Sequence, residues 1–124
     1  MSKFVKVKTE LRDVVMIKRA LDDLKLSYQE NARYVHPFGG FAGIVPLVVR
    51  APRAVFGMRQ SEEGVYEVIG DDMQMQPIRA TVQQVQQRYA YHKVLAETDL
   101  AGFSLVDEQT GRDGVIRMTV RRWG

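Results

Sequence analysis

The sequence predicts an α+β domain, a two-layer sandwich in which two helices cover one face of a mainly antiparallel sheet. Two segments carry apolar residues at helical spacing, and several short runs rich in β-branched residues are separated by turn-forming residues. The length of 124 residues suits one core. A chain of that size buries roughly two thirds of its unfolded surface, so residues 1–124 are read as a single domain.

Lys3 to Thr9 alternates charged and apolar side chains and reads as a strand, with Val5 and Val7 on one face and Phe4, Lys6 and Lys8 on the other. A helix follows, because Leu11, Val14, Ile17, Leu21 and Leu24 form one apolar stripe while Arg12, Lys18, Arg19, Asp22 and Asp23 face water. Ser27 to Val35 is a weakly alternating strand, and His36 to Gly43 is a glycine-rich connection. Ile44 to Arg50 and Ala54 to Gln60 are strands, and Ser61 to Gly64 turns the chain into a further strand, Val65 to Ile69. The last two should pair as a hairpin, with Phe56 and Met58 on one face of their strand and Val65, Glu67 and Ile69 on one face of the other.

A long helix is expected from Pro77 or Ile78 to about Leu100, since proline is tolerated in a first turn and Gly102 suits a helix exit. Ile78, Val82, Val85, Tyr89, His92 and Ala96 keep helical spacing, and Gln83, Gln84, Gln87, Arg88 and Lys93 are expected outside. A final hairpin joins Phe103 to Asp107 with Val115 to Trp123, turning Ile116, Met118 and Val120 inward. The order strand, helix, strand, strand then occurs twice, which suggests duplicated βαββ units without a sequence repeat.

Composition narrows the function. Hydrophobic residues at 45% and charged residues at 27% describe an ordinary globular protein. The absence of cysteine excludes disulfides, thiolate metal sites and a thiol nucleophile, and leaves a reducing compartment as the default. The N-terminal lysines interrupt any signal-like apolar stretch, and the most apolar run, Ile44 to Val49, is far below the roughly 20 residues of a bilayer span. Neither a membrane span nor a cleaved leader is expected. A net charge of +3 without blocks of Lys and Arg keeps nucleic acid as an alternative partner, behind another protein.

The run Gln87-Arg88-Tyr89-Ala90-Tyr91-His92-Lys93-Val94-Leu95, followed by Gly102-Phe103, Asp113-Gly114 and Arg121-Arg122-Trp123, resembles the hypothetical chloroplast reading frame thirty-five family. That family is an uncharacterised domain found in cyanobacteria, algal plastids and other bacteria. The resemblance spans nearly the whole chain, including Ser2-Lys3-Phe4, the helix near Leu21 to Leu24, and Tyr66-Glu67-Val68-Ile69. The family commonly has His where Lys3 stands and a Trp shortly after the position of Asp71, so no role is carried over to those places. What the resemblance implies is a setting, bacterial cytoplasm or plastid stroma, and no mechanism.

Each candidate site competes with a plainer role. His92 reads first as a packed side chain and second as an acid or base oriented by a distant carboxylate, the basis of a small-enzyme reading. His36 with Gly39, Gly40 and Gly43 reads as a mobile turn before an anion loop, because no Gly-Lys-Ser/Thr ending and no Gly-x-Gly-x-x-Gly follows a strand. Asp71-Asp72 and Glu62-Glu63 read as turn and cap chemistry, since adjacent strand residues point to opposite faces. No metal, cofactor or catalytic constellation stands out. Lys6 and Lys8 are expected to share a basic sheet face with Arg117 and Arg121, which is the nucleic-acid reading. Arg88, Tyr89, Tyr91 and His92 on the long helix, with Arg122 and Trp123 at the chain end, are the expected surface for a protein partner. The favoured expectation is a non-enzymatic adaptor or assembly factor that binds another protein through the long helix or through the sheet face that the helices leave open to water.

Overall fold

A computed structural model describes residues 3–122; Trp123 lies outside the described residues. Strand β1 (Phe4–Lys8) leads to helix α1 (Val14–Asp23), then β2 (Ser27–Val35), β3 (Ala42–Ala51), β4 (Ala54–Gln60) and β5 (Tyr66–Asp71). A 3₁₀ turn, Asp72–Gln74, runs into helix α2 (Met75–Leu100), and β6 (Phe103–Thr110) and β7 (Ile116–Arg122) close the described chain. The two helices and mainly antiparallel strands form the expected α+β sandwich. None of the described helices is long and apolar enough to cross a membrane.

The apolar stripe of α1 is as expected, but the helix begins at Val14 rather than Leu11. Asp13 sets that start: its carboxylate accepts hydrogen bonds from the Val15 and Met16 N–H groups, satisfying donors that have no partner inside the helix. Leu11 lies in the preceding loop and is still buried. The helix ends in a Schellman turn, with Lys25 N–H bonded to Asp22 C=O and Leu26 N–H to Leu21 C=O. Lys25 accordingly adopts φ 56°, where glycine is usual. Helix α2 starts at Met75, two to three residues before the expected start at Pro77 or Ile78, because Pro77 falls among the first N–H positions that need no intrahelical acceptor. It exits through Gly102 at φ 82°.

Five strands pair antiparallel in the order β1-β5-β4-β3-β2. On the helix side, Ile17, Ala20 and Leu21 of α1 and Ile78, Val82, Val85 and Tyr89 of α2 pack against Leu47, Val49, Phe56, Met58, Tyr66 and Val68. The β4–β5 hairpin forms as expected, Phe56 and Met58 facing the helices while Ile69 belongs to the opposite face.

That opposite face is not simply open to water. Tyr34, Val45, Val48 and Ile69 make a second apolar cluster, joined by Phe4, Ala32, Phe41 and Val55. The two faces exchange within the β2–β3 ladder. Tyr28, Leu47 and Val49 pack on the helix side, but Ala32 and Val45 pack on the other, although strict alternation along each strand assigns them to the same side. The exchange falls at Asn31, which adopts φ 49°, and at Pro46, which sits where its register partner belongs. Proline donates no ladder bond and is confined to such irregular places in a sheet.

The chain order βαββ does occur twice, as β1-α1-β2-β3 and β5-α2-β6-β7. The two hairpins are placed differently, however. β2–β3 belongs to the main sheet, whereas β6–β7 is a separate two-stranded sheet that packs on α2. Ile116 and Met118 turn toward α2 as expected, but Val120, expected inward as well, is 40% exposed.

Candidate functional site

The Arg-Tyr-Ala-Tyr-His run lies in the middle of α2, where i, i+3 and i+4 neighbours share a face. Arg88, Tyr91 and His92 therefore project together. Asp23, the last residue of α1, meets them: His92 Nε2 lies 2.6 Å from Asp23 Oδ2, and Arg88 donates to the same oxygen from Nε at 3.1 Å and from its terminal nitrogen at 2.9 Å. Arg88 was expected to face water; the Asp23 carboxylate draws it in, and its side chain is only 26% exposed. Its guanidinium also lies over the Tyr91 ring, 4.2 Å from the centroid. Tyr91 carries the contact onward through a hydrogen bond with Glu108 of β6, which holds its hydroxyl pKa above the ordinary tyrosine value.

Tyr89 points the other way, into the core, and its hydroxyl accepts the backbone N–H groups of Arg12 and Asp13 at 3.2 and 3.1 Å. Those residues lead into α1. One short run of α2 thus holds the loop before α1, the end of α1 and strand β6.

Burial alone pushes the Asp23 carboxyl pKa up, but the hydrogen bonds and charges of His92 and Arg88 more than offset it, and the group sits below its ordinary value. A carboxylate orienting a histidine is the arrangement that the small-enzyme reading requires. Cavities flank α2 on both sides, one of about 610 Å³ bordered by Tyr89, Ala90 and Lys93 and one of about 340 Å³ bordered by Tyr91, Val94 and Met118. His92 lines neither. The geometry makes Asp23, Arg88 and His92 a clasp between helices.

A second histidine–carboxylate pair escaped the sequence. His36 is buried, and Gly40 N–H donates to its Nδ1 at 3.2 Å. The ring proton consequently lies on Nε2, which donates to Asp71 Oδ1 at 3.3 Å. Both nitrogens are engaged. The glycine-rich connection is a turn, exposed over residues 37–40 and packed at both of its ends: His36 is buried, Phe41 stacks on Phe4 with centroids 5.4 Å apart, and Arg59, itself paired with Glu67 at 2.8 Å, lies over Phe41. A Cβ on Gly40 would come within 2.4 Å of the Phe4 Cβ, so glycine serves close approach there. Asp71, expected as a turn carboxylate, is buried at the end of β5, whereas Asp72 fits that expectation by accepting the Lys3 N–H at 2.8 Å. The signal available in sequence was a histidine bordered by aromatic residues and glycines.

The basic residues do not assemble as expected. Lys6 and Lys8 are on β1 of the main sheet, while Arg117 and Arg121 are on β7 of the separate hairpin, so the four share no sheet face. Lys8 pairs with Glu63 at 3.2 Å. Arg122 lies over the Phe103 ring of the same hairpin. Among the described residues, no three His, Cys, Asp or Glu side chains come together as a metal site.

Beyond Tyr89, α2 leaves the core. Its last turns and the β6–β7 hairpin expose Val94, Leu100, Val106, Val115 and Val120, with Leu100 88% exposed. Val35, Phe38 and Ile44 form a smaller exposed group at the end of the β2–β3 hairpin.

Comparison with known proteins agrees with the motif. A chain named "Uncharacterized protein ycf35" from Cyanophora paradoxa is 29% identical over 126 residues, covering 99% of this chain and 98% of that one. Chains of the same name from Pyropia yezoensis and Guillardia theta are 26% and 28% identical with the same coverage. No solved structure matches. The profile of the family described as "Protein of unknown function (DUF1257)" matches residues 20–119, and it is to this family that the chain belongs.

Proposed function

We propose that this protein is a non-enzymatic adaptor that binds another protein through its C-terminal arm, the distal part of α2 with the β6–β7 hairpin. The observation that carries this reading is the apolar surface of that arm. Five large aliphatic side chains stand in water on a helix end and a two-stranded sheet, an element that is marginal by itself and gains stability from burial against a neighbour. Arg88, Tyr91 and Arg122 border the arm, and arginine and tyrosine are enriched where protein interfaces are strongest. The clasp of Asp23, Arg88, His92, Tyr91 and Glu108 fixes the arm to the rest of the fold, which lowers the entropy lost on docking. Its place of action is the bacterial cytoplasm or plastid stroma.

The test is capture from lysate on tagged protein, with and without nuclease, comparing the natural chain with a Val94→Glu, Val115→Glu double variant and with Ile44→Glu. Expected is a protein partner that survives nuclease and is kept by Ile44→Glu but lost by the double variant, with all three chains folded. Nucleic acid in the untreated eluate, with protein lost after nuclease, would replace this reading by nucleic-acid binding. Catalytic turnover abolished by His92→Ala in a folded chain would replace it by the enzyme reading.

A further inference from the structure

We infer that the outer edge of β1 is a docking slot for an extended, acidic strand of a partner protein, which adds to the main sheet as a sixth strand. This goes beyond the arm just described and uses a different surface.

The backbone supplies the first argument. β1 ends the sheet, with β5 on one side and no strand among the described residues on the other. Asp72 N–H bonds to Lys3 C=O, and Thr9 N–H to Tyr66 C=O. In an antiparallel ladder, hydrogen-bonded pairs alternate with non-bonded pairs, so Val5 and Val7 also bond inward. The N–H and C=O groups of Phe4, Lys6 and Lys8 consequently point outward, a regular row open to β-augmentation. The opposite edge, β2, lacks that regularity because Asn31 breaks its alternation.

Space and charge supply the second. Two cavities run between β1 and α2, one of about 270 Å³ lined by Val7, Ile78 and Val82, the other of about 610 Å³ lined by Leu11, Tyr89 and Ala90; Lys8 and Gln86 belong to both. Arg79 and Lys93 border this channel on the helix side, Lys6 projects from β1 on the other face, and none of the three has an ion pair among the described residues. Glu10 is the carboxylate among the lining residues. A strand added here meets cations on both of its faces. Pairing of β1 with β1 of a second copy brings lysines against lysines, which is destabilising, whereas an acidic strand complements them.

The architecture supplies the third. β1 and β5 begin the two βαββ units and lie side by side, and both helices leave through a left-handed residue, Lys25 and Gly102. β5 has β4 on its outer flank; among the described residues β1 has no counterpart of β4. The incoming strand takes that place.

The probe is a synthetic peptide of roughly eight residues, a typical strand length, alternating valine and glutamate, titrated into the ¹⁵N-labelled full chain. Expected are amide shifts at Phe4, Lys6 and Lys8 and along Gln86 to Lys93, slowed hydrogen exchange at those three β1 amides with Val5 and Val7 unchanged, and no response to the lysine-for-glutamate peptide. Lys6→Pro removes one outward N–H and leaves the β5 ladder intact, so it abolishes the response. If that variant fails to fold, Lys6→Glu serves instead, with affinity for the glutamate peptide lowered roughly ten-fold, about the effect of one well-placed charge. No shift at β1 with peptide at about 1 mM, or shifts confined to other faces, overturns the inference. So do the same β1 shifts on concentrating the protein alone, which assign the edge to a second copy. Capture by the C-terminal arm is read from a different surface, so either reading can fail while the other stands.

Discussion

Tyr89→Phe isolates one atom of the family motif. The ring belongs to the main core and the substitution keeps it there, so packing against that core is unchanged. The hydroxyl is lost, and with it the acceptor for two backbone N–H groups, of Arg12 and Asp13, at 3.2 and 3.1 Å. A typical hydrogen bond contributes about 0.5–1.5 kcal/mol net, and both bonds are part-buried, so water replaces the hydroxyl incompletely. The expected loss is about 1–2 kcal/mol. With an unfolding entropy of about 2.1 cal/mol/K per residue, a chain of 124 residues loses about 4 °C in Tm per kcal/mol, giving a fall of about 4–8 °C. Calorimetry reads the Tm, and hydrogen exchange at the Arg12 and Asp13 amides should accelerate. Tyr91→Phe is the control: its partner Glu108 is exposed and rehydrates freely, so its loss stays below about 1 kcal/mol. An unchanged Tm for Tyr89→Phe, or a larger fall for Tyr91→Phe, would refute the reasoning.

Other perturbations probe the remaining devices. Gly40→Ala forces a Cβ against Phe4 and His36 Nδ1, so the loop must lift; the expected cost is about 1–3 kcal/mol in urea unfolding, and an unaltered midpoint counts against that close approach. Lys25→Gly relieves a left-handed residue in a Schellman turn and should stabilise by about 0.5–1 kcal/mol, seen as a Tm rise of a few degrees. Asp23 has a folded pKa below its unfolded one, so its contribution is complete above about pH 4 and is lost as pH falls through the lower folded value. The Tm difference between the natural chain and Asp23→Asn should therefore shrink in acid, and a difference independent of pH would show that the clasp does not depend on the carboxylate charge.

The sequence by itself determined the elements. β2 and β4 begin and end where alternation and turn residues indicated, the stripe on α1 faces the core, Gly102 ends α2, and the Ser61–Gly64 turn pairs its flanking strands. These are local matters, decided by side-chain periodicity and by which residues tolerate a given backbone angle. The Arg-Tyr-Ala-Tyr-His run stood out through its family resemblance, but that Arg88 and His92 meet Asp23 was not legible.

Tertiary structure decided what joins distant segments. Asp23 meets His92 across 69 positions and His36 meets Asp71 across 35, and nothing in the spacing of either pair selects its partner. The lysines of β1 and the arginines of β7 went to different sheets because β6–β7 found its apolar neighbour in α2. Asn31 and Pro46 move side chains from one face of the sheet to the other, which strict alternation cannot anticipate. The reason is common to all of these. Periodicity tells a segment which of its faces must be buried, but which surface buries it is settled by competition among all the apolar faces of the chain, and that choice exists only once they meet.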